Sequence, residues 1–349
     1  MVFFILSGFI ITYVSMSNER SLVEFSTKRI SRYFSILIPA IALLIIASLI
    51  TTRINPHAYT AIDCGNSKNI ALKTIASLTF INYNTFTTAQ CFLPAGGPFW
   101  SLTCEWWYYV LYALAFHIPN RLVSFFLSMI LVSLLGPSVM LLFPVWLIGS
   151  FCHLAWRRIS ISKKFAIFIA ILTPCLAVIL WASNVRYSFL NTAVLSGHYF
   201  HHATYFPYYW LIGALMGSHL LCMLITLHEP SKLLFQVFSI IAPVIRRISG
   251  TSFFLYVAHM PIMILLKTIF GETIHSYLIP TFTLAVCLIF GKYIEDLRFP
   301  LQKILRPRLA GLSHWITTSK TGAHIIREPL RASDTGSRHC LEPIKKSLS

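Results

Sequence analysis

Charge is what this chain has least of. Only 11% of its 349 residues are Asp, Glu, Lys or Arg, against roughly a quarter in soluble domains. Acid is scarcest: eleven Asp and Glu stand against 28 Lys and Arg, a net charge of +17. With 56% hydrophobic residues and a mean hydropathy of +0.71, the chain cannot coat a water-facing surface. No CxxC or zinc-spaced cysteine pair occurs, nor a phosphate-cradling glycine loop, a GxSxG elbow or a heptad repeat, which removes the sequence basis for a zinc module, a P-loop, an α/β-hydrolase or a coiled coil. The N-terminus lacks a positive leader and a small-residue cleavage site, so it does not read as a signal peptide.

What is present is a series of apolar stretches long enough to cross a bilayer. About nine spans are expected, at 1–16, 34–51, 99–117, 122–137, 139–155, 165–182, 206–226, 250–268 and 277–294. All should be helical, because a lipid-exposed backbone must satisfy its own hydrogen bonds. The fold class is therefore all-α, a polytopic integral membrane bundle. Segment 70–82 reads as an interfacial or re-entrant helix in the long 52–98 connection. Of the eight cysteines, Cys104, Cys152, Cys175, Cys222 and Cys287 fall within spans and act there as small apolar residues. Cys64 and Cys91 share the long loop, either as a disulfide or as two thiols; Cys340 lies in the tail.

Charge orients the bundle. Arg20, Lys28, Arg29 and Arg32 follow the first span, Arg157, Arg158, Lys163 and Lys164 the fifth, and Lys232, Arg246 and Arg247 the seventh. The alternate connections are poor in Lys and Arg, which puts the basic side and the C-terminus in the cytoplasm. A positive balance carried by such loops gives no basic stripe for nucleic acid, and none is expected as a partner. The same alternation sets Met1 outside at the very start of a span, as though one more helix preceded it. Two regions are expected: 1–305 in the membrane, and a basic tail, 306–349, without clear periodicity.

Three clusters stand out. Glu105 lies in the apolar stretch Gly97-Pro98-Phe99-Trp100-Ser101-Leu102-Thr103-Cys104-Glu105, where a charge at a helix centre costs about 2.5–3.5 kcal/mol. Helical spacing sets Tyr108, Tyr109 and Tyr112 on its face. This is either a polar reaction site or a helix–helix hydrogen bond inside the bundle. By length it sits about 9 Å in from the outer edge, at 1.5 Å per residue, far from the basic inner edge. Ser252, Tyr256 and His259 share another face, and the imidazole suits a general base or a buried histidine bonded to a carbonyl. Arg29 and Arg32 make a two-pronged patch that suits phosphates or lipid headgroups. His198, His201 and His202 lack a neighbouring carboxylate or thiolate, and no metal is expected.

Four segments in order resemble the membrane acyltransferases of the acyltransferase 3 type, which O-acylate surface glycans and related acceptors: Phe3-Phe4-Ile5-Leu6-Ser7-Gly8-Phe9, Arg29-Ile30-Ser31-Arg32 with Pro39, Phe99-Trp100-Ser101-Leu102 with Glu105, and Ser252 through His259. Glu295 with Pro300 is similar to the family's closing element. The resemblance covers about residues 1–305. It implies an acyl-CoA donor, an acetyl group, and a hydroxyl acceptor on a glycan or lipid-linked saccharide at the outer face of a bacterial inner membrane. By it, Arg29 and Arg32 hold CoA phosphates, Glu105 and His259 line the cavity, and Tyr256 or Tyr108 supplies a phenolic donor. Family members carry a preceding helix with an Arg and a catalytic His that this sequence does not match. The alternatives are an inactive remnant of such an enzyme, or a transporter or flippase on a similar scaffold.

Overall fold

The computed structural model of the chain describes residues 1–19, 21–55, 70–83, 93, 95–185, 201–227, 232–271, 275 and 277–318. In chain order the helices are α1 (Val2–Asn18), α2 (Leu22–Ile54), α3 (Ile70–Leu78), α4 (Phe99–His117), α5 (Arg121–Leu135), α6 (Pro137–Met140), α7 (Phe143–Ala155) and α8 (Lys163–Ala182). A short 3-10 turn at His201–Ala203 leads to α9 (Phe206–Leu227), α10 (Lys232–Ser249), α11 (Ser252–Phe270), α12 (Leu278–Asp296) and α13 (Arg298–Thr318). No strand occurs among the described residues. The protein is an all-α polytopic membrane protein. Residues 1–307 form one compact unit. The cysteines Cys64, Cys91 and Cys340, with Arg20, Arg186 and His198, lie outside the described residues.

Six helical runs are long and apolar enough to cross a bilayer: Leu22–Ile54, Pro137–Ala155, Lys163–Ala182, Phe206–Leu227, Ser252–Phe270 and Leu278–Gly311. Two shorter apolar helices, Val2–Ser17 and Arg121–Leu135, accompany them. α4 occupies the remaining position expected from the sequence, but Glu105, His117 and its Trp and Tyr residues lower its apolarity. α2 is longer than the bilayer requires: its 33 residues rise about 50 Å at 1.5 Å each. Ser21 starts it by accepting from the Glu24 N–H at 3.2 Å, with Glu24 favourably placed at the positive end of the helix dipole.

α1 packs along α7, α9 along both α7 and α8, and α11 along both α2 and α12. The α1–α7 crossing depends on two glycines. A Cβ on Gly8 would lie 2.0 Å from the Trp146 carbonyl oxygen, and one on Gly149 would lie 1.8 Å from that of Ile5. The backbones meet only because neither side chain exists, the small-residue packing of membrane helices. Thr12 and Ser150 then hydrogen-bond across the contact.

Within the segment 70–82, expected to be helical, α3 forms over Ile70–Leu78 and packs against α2. Phe80 ends α3 with a left-handed backbone (φ 56°), an uncommon conformation for a non-glycine residue. Its ring stacks on Trp106 at 4.4 Å and meets Tyr33 at 5.6 Å. Its carbonyl accepts from Trp107 Nε1 at 2.7 Å, and neighbouring Asn82 accepts from Thr103 at 2.5 Å. Phe80 thus reaches Tyr33, which lies about 30 Å below Ile54 along α2 at 1.5 Å per residue.

Candidate functional site

Glu105 is buried, 4% exposed, and its surroundings are built from three other segments. Tyr109, one turn further along α4, donates to Oε1 at 2.5 Å. Ser7 of α1 also donates to Oε1, and Tyr33 of α2 donates to Oε2 at 2.6 Å. Trp146 of α7 donates to the Ser7 hydroxyl at 3.2 Å, directing its proton toward the carboxylate. Among the described residues no Lys, Arg or His nitrogen lies within 4.0 Å of Glu105. Three hydroxyls therefore supply the hydrogen bonds that water would otherwise provide. The Gly8–Gly149 crossing explains Ser7: the close approach of α1 to α7 brings the residue before Gly8 under Trp146 and onto Glu105.

The tyrosines expected to share the face of Glu105 divide. Tyr109 bonds the carboxylate, whereas Tyr108 donates to the Val139 carbonyl at 2.6 Å. Tyr112 stacks on Phe25 at 5.8 Å, and its hydroxyl faces Ser15 and Thr12 of α1. Ser7, Tyr33 and Trp146 were not singled out from the sequence for any role. They lie 98, 72 and 41 positions from Glu105, and no local periodicity links them; the only signal was that Ser7 and Tyr33 sit in or beside segments of the family pattern.

A second polar group begins one turn before Glu105 on α4. Ser101 Oγ lies 2.5 Å from Tyr256 Oη on α11, which is also 3.4 Å from the Pro98 carbonyl. Phe3 of α1 stacks on the Tyr256 ring at 5.8 Å. His259 follows one turn later. Its Nδ1 lies 2.8 Å from the Tyr256 carbonyl and 3.1 Å from that of Leu255. Carbonyls only accept, so Nδ1 carries a proton, and in the neutral ring Nε2 presents a lone pair. Ser252 does not join this group; it is exposed and donates to the Ser249 carbonyl at 2.8 Å. No hydrogen bond joins Glu105 directly to His259. The two are connected by helix register, Glu105 to Ser101 on α4 and Tyr256 to His259 on α11.

The two arginines differ. Arg29 is buried, and its Nη2 pairs with Glu19 Oε2 at 2.8 Å. Lys28 reaches the other oxygen at 3.3 Å. The Arg29 guanidinium also lies over the Phe25 and Tyr109 rings at 5.0 and 5.8 Å. Arg32 is exposed, with its guanidinium 5.7 Å from the Phe253 ring centroid. Glu295 of α12 faces the backbone N–H groups of Phe253 and Phe254, at a helix start where Thr251 makes no side-chain cap. α12 can lie this close because a Cβ on Gly291 would come 2.9 Å from Thr251.

These contacts correct the depth assigned to Glu105. Counting from an outer edge near residue 99 sets it far from the arginines. In the structure α4 begins deep, with Pro98 beside Tyr256, and Glu105 bonds Tyr33, the residue after Arg32. Arg29 lies about 6 Å from Tyr33 along α2 at 1.5 Å per residue. The carboxylate and the arginines therefore occupy one end of a shared site. His202 stacks on Trp100 at 4.6 Å and donates its backbone N–H to Tyr83 Oη at 3.2 Å. Among the described residues no group of three or more His, Cys, Asp or Glu is placed to hold a metal.

The family model described as an acyltransferase domain, of the acyltransferase 3 type, matches residues 1–292. No curated protein and no solved structure matches. The match takes in every residue of the two polar groups, and the chain belongs to this family.

Proposed function

We propose that this member of the acyltransferase 3 family moves an acyl group, acetyl in the simplest case, from acyl-CoA to a hydroxyl of a glycan or lipid-linked saccharide. The setting we propose is a bacterial inner membrane with the C-terminus in the cytoplasm. The observation that carries the reading is the buried Glu105 with its three hydroxyl donors, within a chain matched to an acyltransferase domain. A purely structural carboxylate needs no nearby exposed guanidinium, and Arg32 supplies one.

In this reading Arg32 contacts a CoA phosphate, while Arg29 supports that wall of the site through Glu19. The acceptor oxygen attacks the thioester carbonyl carbon, its proton passes to a base, and the tetrahedral oxyanion collapses as the C–S bond breaks. The departing CoA thiolate takes up a proton. His259 is suited to be the base, since its Nδ1–H is committed to a carbonyl and leaves Nε2 to accept. The Tyr256 phenol is suited to donate to the oxyanion. Glu105 orders Tyr33, Tyr109 and Ser7 between them and the arginines.

The test is transfer of label from acetyl-CoA radiolabelled in the acetyl group to membrane saccharide in vesicles containing the full chain. We expect saccharide-bound, alkali-labile label. Arg32→Ala should raise the KM for acetyl-CoA about tenfold, the effect of about 1.4 kcal/mol. His259→Ala should lower kcat by about 100-fold or more. Failure of a well-folded chain to transfer label from any acyl-CoA would overturn the reading.

A further inference from the structure

α10 is unlike every other helix in the bundle. Phe238, Ile240, Ile241, Val244, Ile245 and Ile248 are all exposed, Ile240 by 75%. At 100° per residue these six positions fall within an arc of about 160°. Gln236, Ser239 and Arg246 occupy the opposite arc, and Arg247 and Ser249 border the apolar one. α10 is not among the runs apolar enough to span the bilayer, and among the described residues its main contact with the bundle is with α11.

Connectivity fixes where it lies. α9 runs parallel to α7: Trp210 bonds Leu141, Gly213 faces Val145 and Gly217 faces Ile148. α7 in turn runs parallel to α1, with Gly8 at Trp146 and Thr12 at Ser150. The C-terminal ends of all three therefore lie on the side where α1 gives way to the basic start of α2. α11 begins on that same side, since Phe253 meets Tyr33 and Arg32. α10 joins two spans on the basic face, and cannot leave it.

We propose that α10 is an in-plane helix that sinks its apolar face into the leaflet on the basic side and recognises anionic lipid headgroups. Several aligned apolar side chains exposed to water would be costly, but they are solvated when the face is buried about 5–10 Å into the headgroup/acyl boundary. Arg246 and Arg247 in its last turn are placed for phosphate-bearing headgroups. Only Gly250 and Thr251 separate α10 from α11, whose first turn bears the Arg32 and Glu295 contacts, so the leaflet anchors the helix carrying Tyr256 and His259. The inference does not depend on acyl transfer.

The test places a nitroxide at Ile245→Cys or Ile240→Cys on the apolar face and at Ser239→Cys on the other, in the full chain. The label on the chain's own cysteines is subtracted using the unsubstituted protein. Vesicles are phosphatidylcholine with and without phosphatidylglycerol, and collisions with oxygen and a water-soluble nickel chelate are compared. The apolar-face labels should favour oxygen and the Ser239 label nickel. Phosphatidylglycerol should deepen the former, and Arg246→Gln with Arg247→Gln should abolish that deepening. Equal access to nickel on both faces would overturn the proposal. So would apolar-face labels shielded from both reagents, the mark of a covering protein surface or second copy, and so would indifference to phosphatidylglycerol.

Discussion

α4 and α8 are nearly equal in length, 19 and 20 residues, and opposite in use. α8 is long and apolar enough to cross the bilayer, and little of it is buried. It is a helix that lipid solvates, with Phe168, Ile171, Val178 and Ile179 facing outward. α4 is the poorer membrane helix by composition, yet it buries Ser101, Thr103, Cys104, Glu105, Tyr108, Tyr109 and Tyr112. Hydropathy finds the helices that face lipid, but it passes over the helix that holds the buried carboxylate. Polar side chains are tolerable at bilayer depth only where protein partners replace water.

The largest expected effect would remove the support on which α4 depends. Gly149→Leu forces a side chain into the Ile5 carbonyl and should part α1 from α7, withdrawing Ser7 from Glu105. We expect loss of monodisperse protein on size-exclusion chromatography in detergent, whereas Ile171→Ala on α8 should elute as wild type. A folded, active Gly149→Leu chain would show that the crossing is not close in the membrane.

Next is the carboxylate itself. Glu105→Gln keeps the volume but replaces one acceptor oxygen with a donor facing other donors. Transfer should fall by about 100-fold or more while the protein still elutes normally. Retained transfer would reduce Glu105 to a helix–helix contact.

The smallest effect sharpens the contrast. Tyr33→Phe removes one of three donors to Glu105, a loss of about 1.5–3 kcal/mol for a hydrogen bond to a charged group, and should lower transfer about tenfold or more. Ile179→Ala on α8 should leave transfer within about twofold, as a lipid-facing truncation costs little packing. Equal losses in the two would erase the distinction between the helices.

The helices and the residue at the centre of the site were legible in advance, because apolar length and an isolated acid are properties of a short window. Glu105, Tyr256 and His259 fall in helices where spans were expected, whereas Arg29 and Arg32, expected in the connection before the span at 34–51, lie inside α2, which starts at Leu22. Their relations were not legible. Ser7, Trp146 and Tyr33 meet Glu105 through the α1–α7 crossing and the α2–α4 contact, which join residues far apart in the chain. Arg29 and Arg32 look equivalent at i and i+3, but a buried Glu19 takes one and leaves the other exposed. Counting residues from the apparent span edge misplaced Glu105, because helix length gives depth only when the helix begins at the membrane surface. α4 begins deep, below a connection that itself folds inward to Phe80.

By itself the sequence determined that this protein lives in a bilayer, that its backbone is helical, and that a carboxylate is held at bilayer depth. Each follows from transfer free energy and backbone hydrogen bonding, which act residue by residue. Only the tertiary structure decided which hydroxyls receive that carboxylate, which arginine pairs with Glu19 and which stays exposed, and that carboxylate and arginines come close together. Those outcomes depend on glycine-tight crossings and helix register, and a contact between distant segments exists only once the helices have packed.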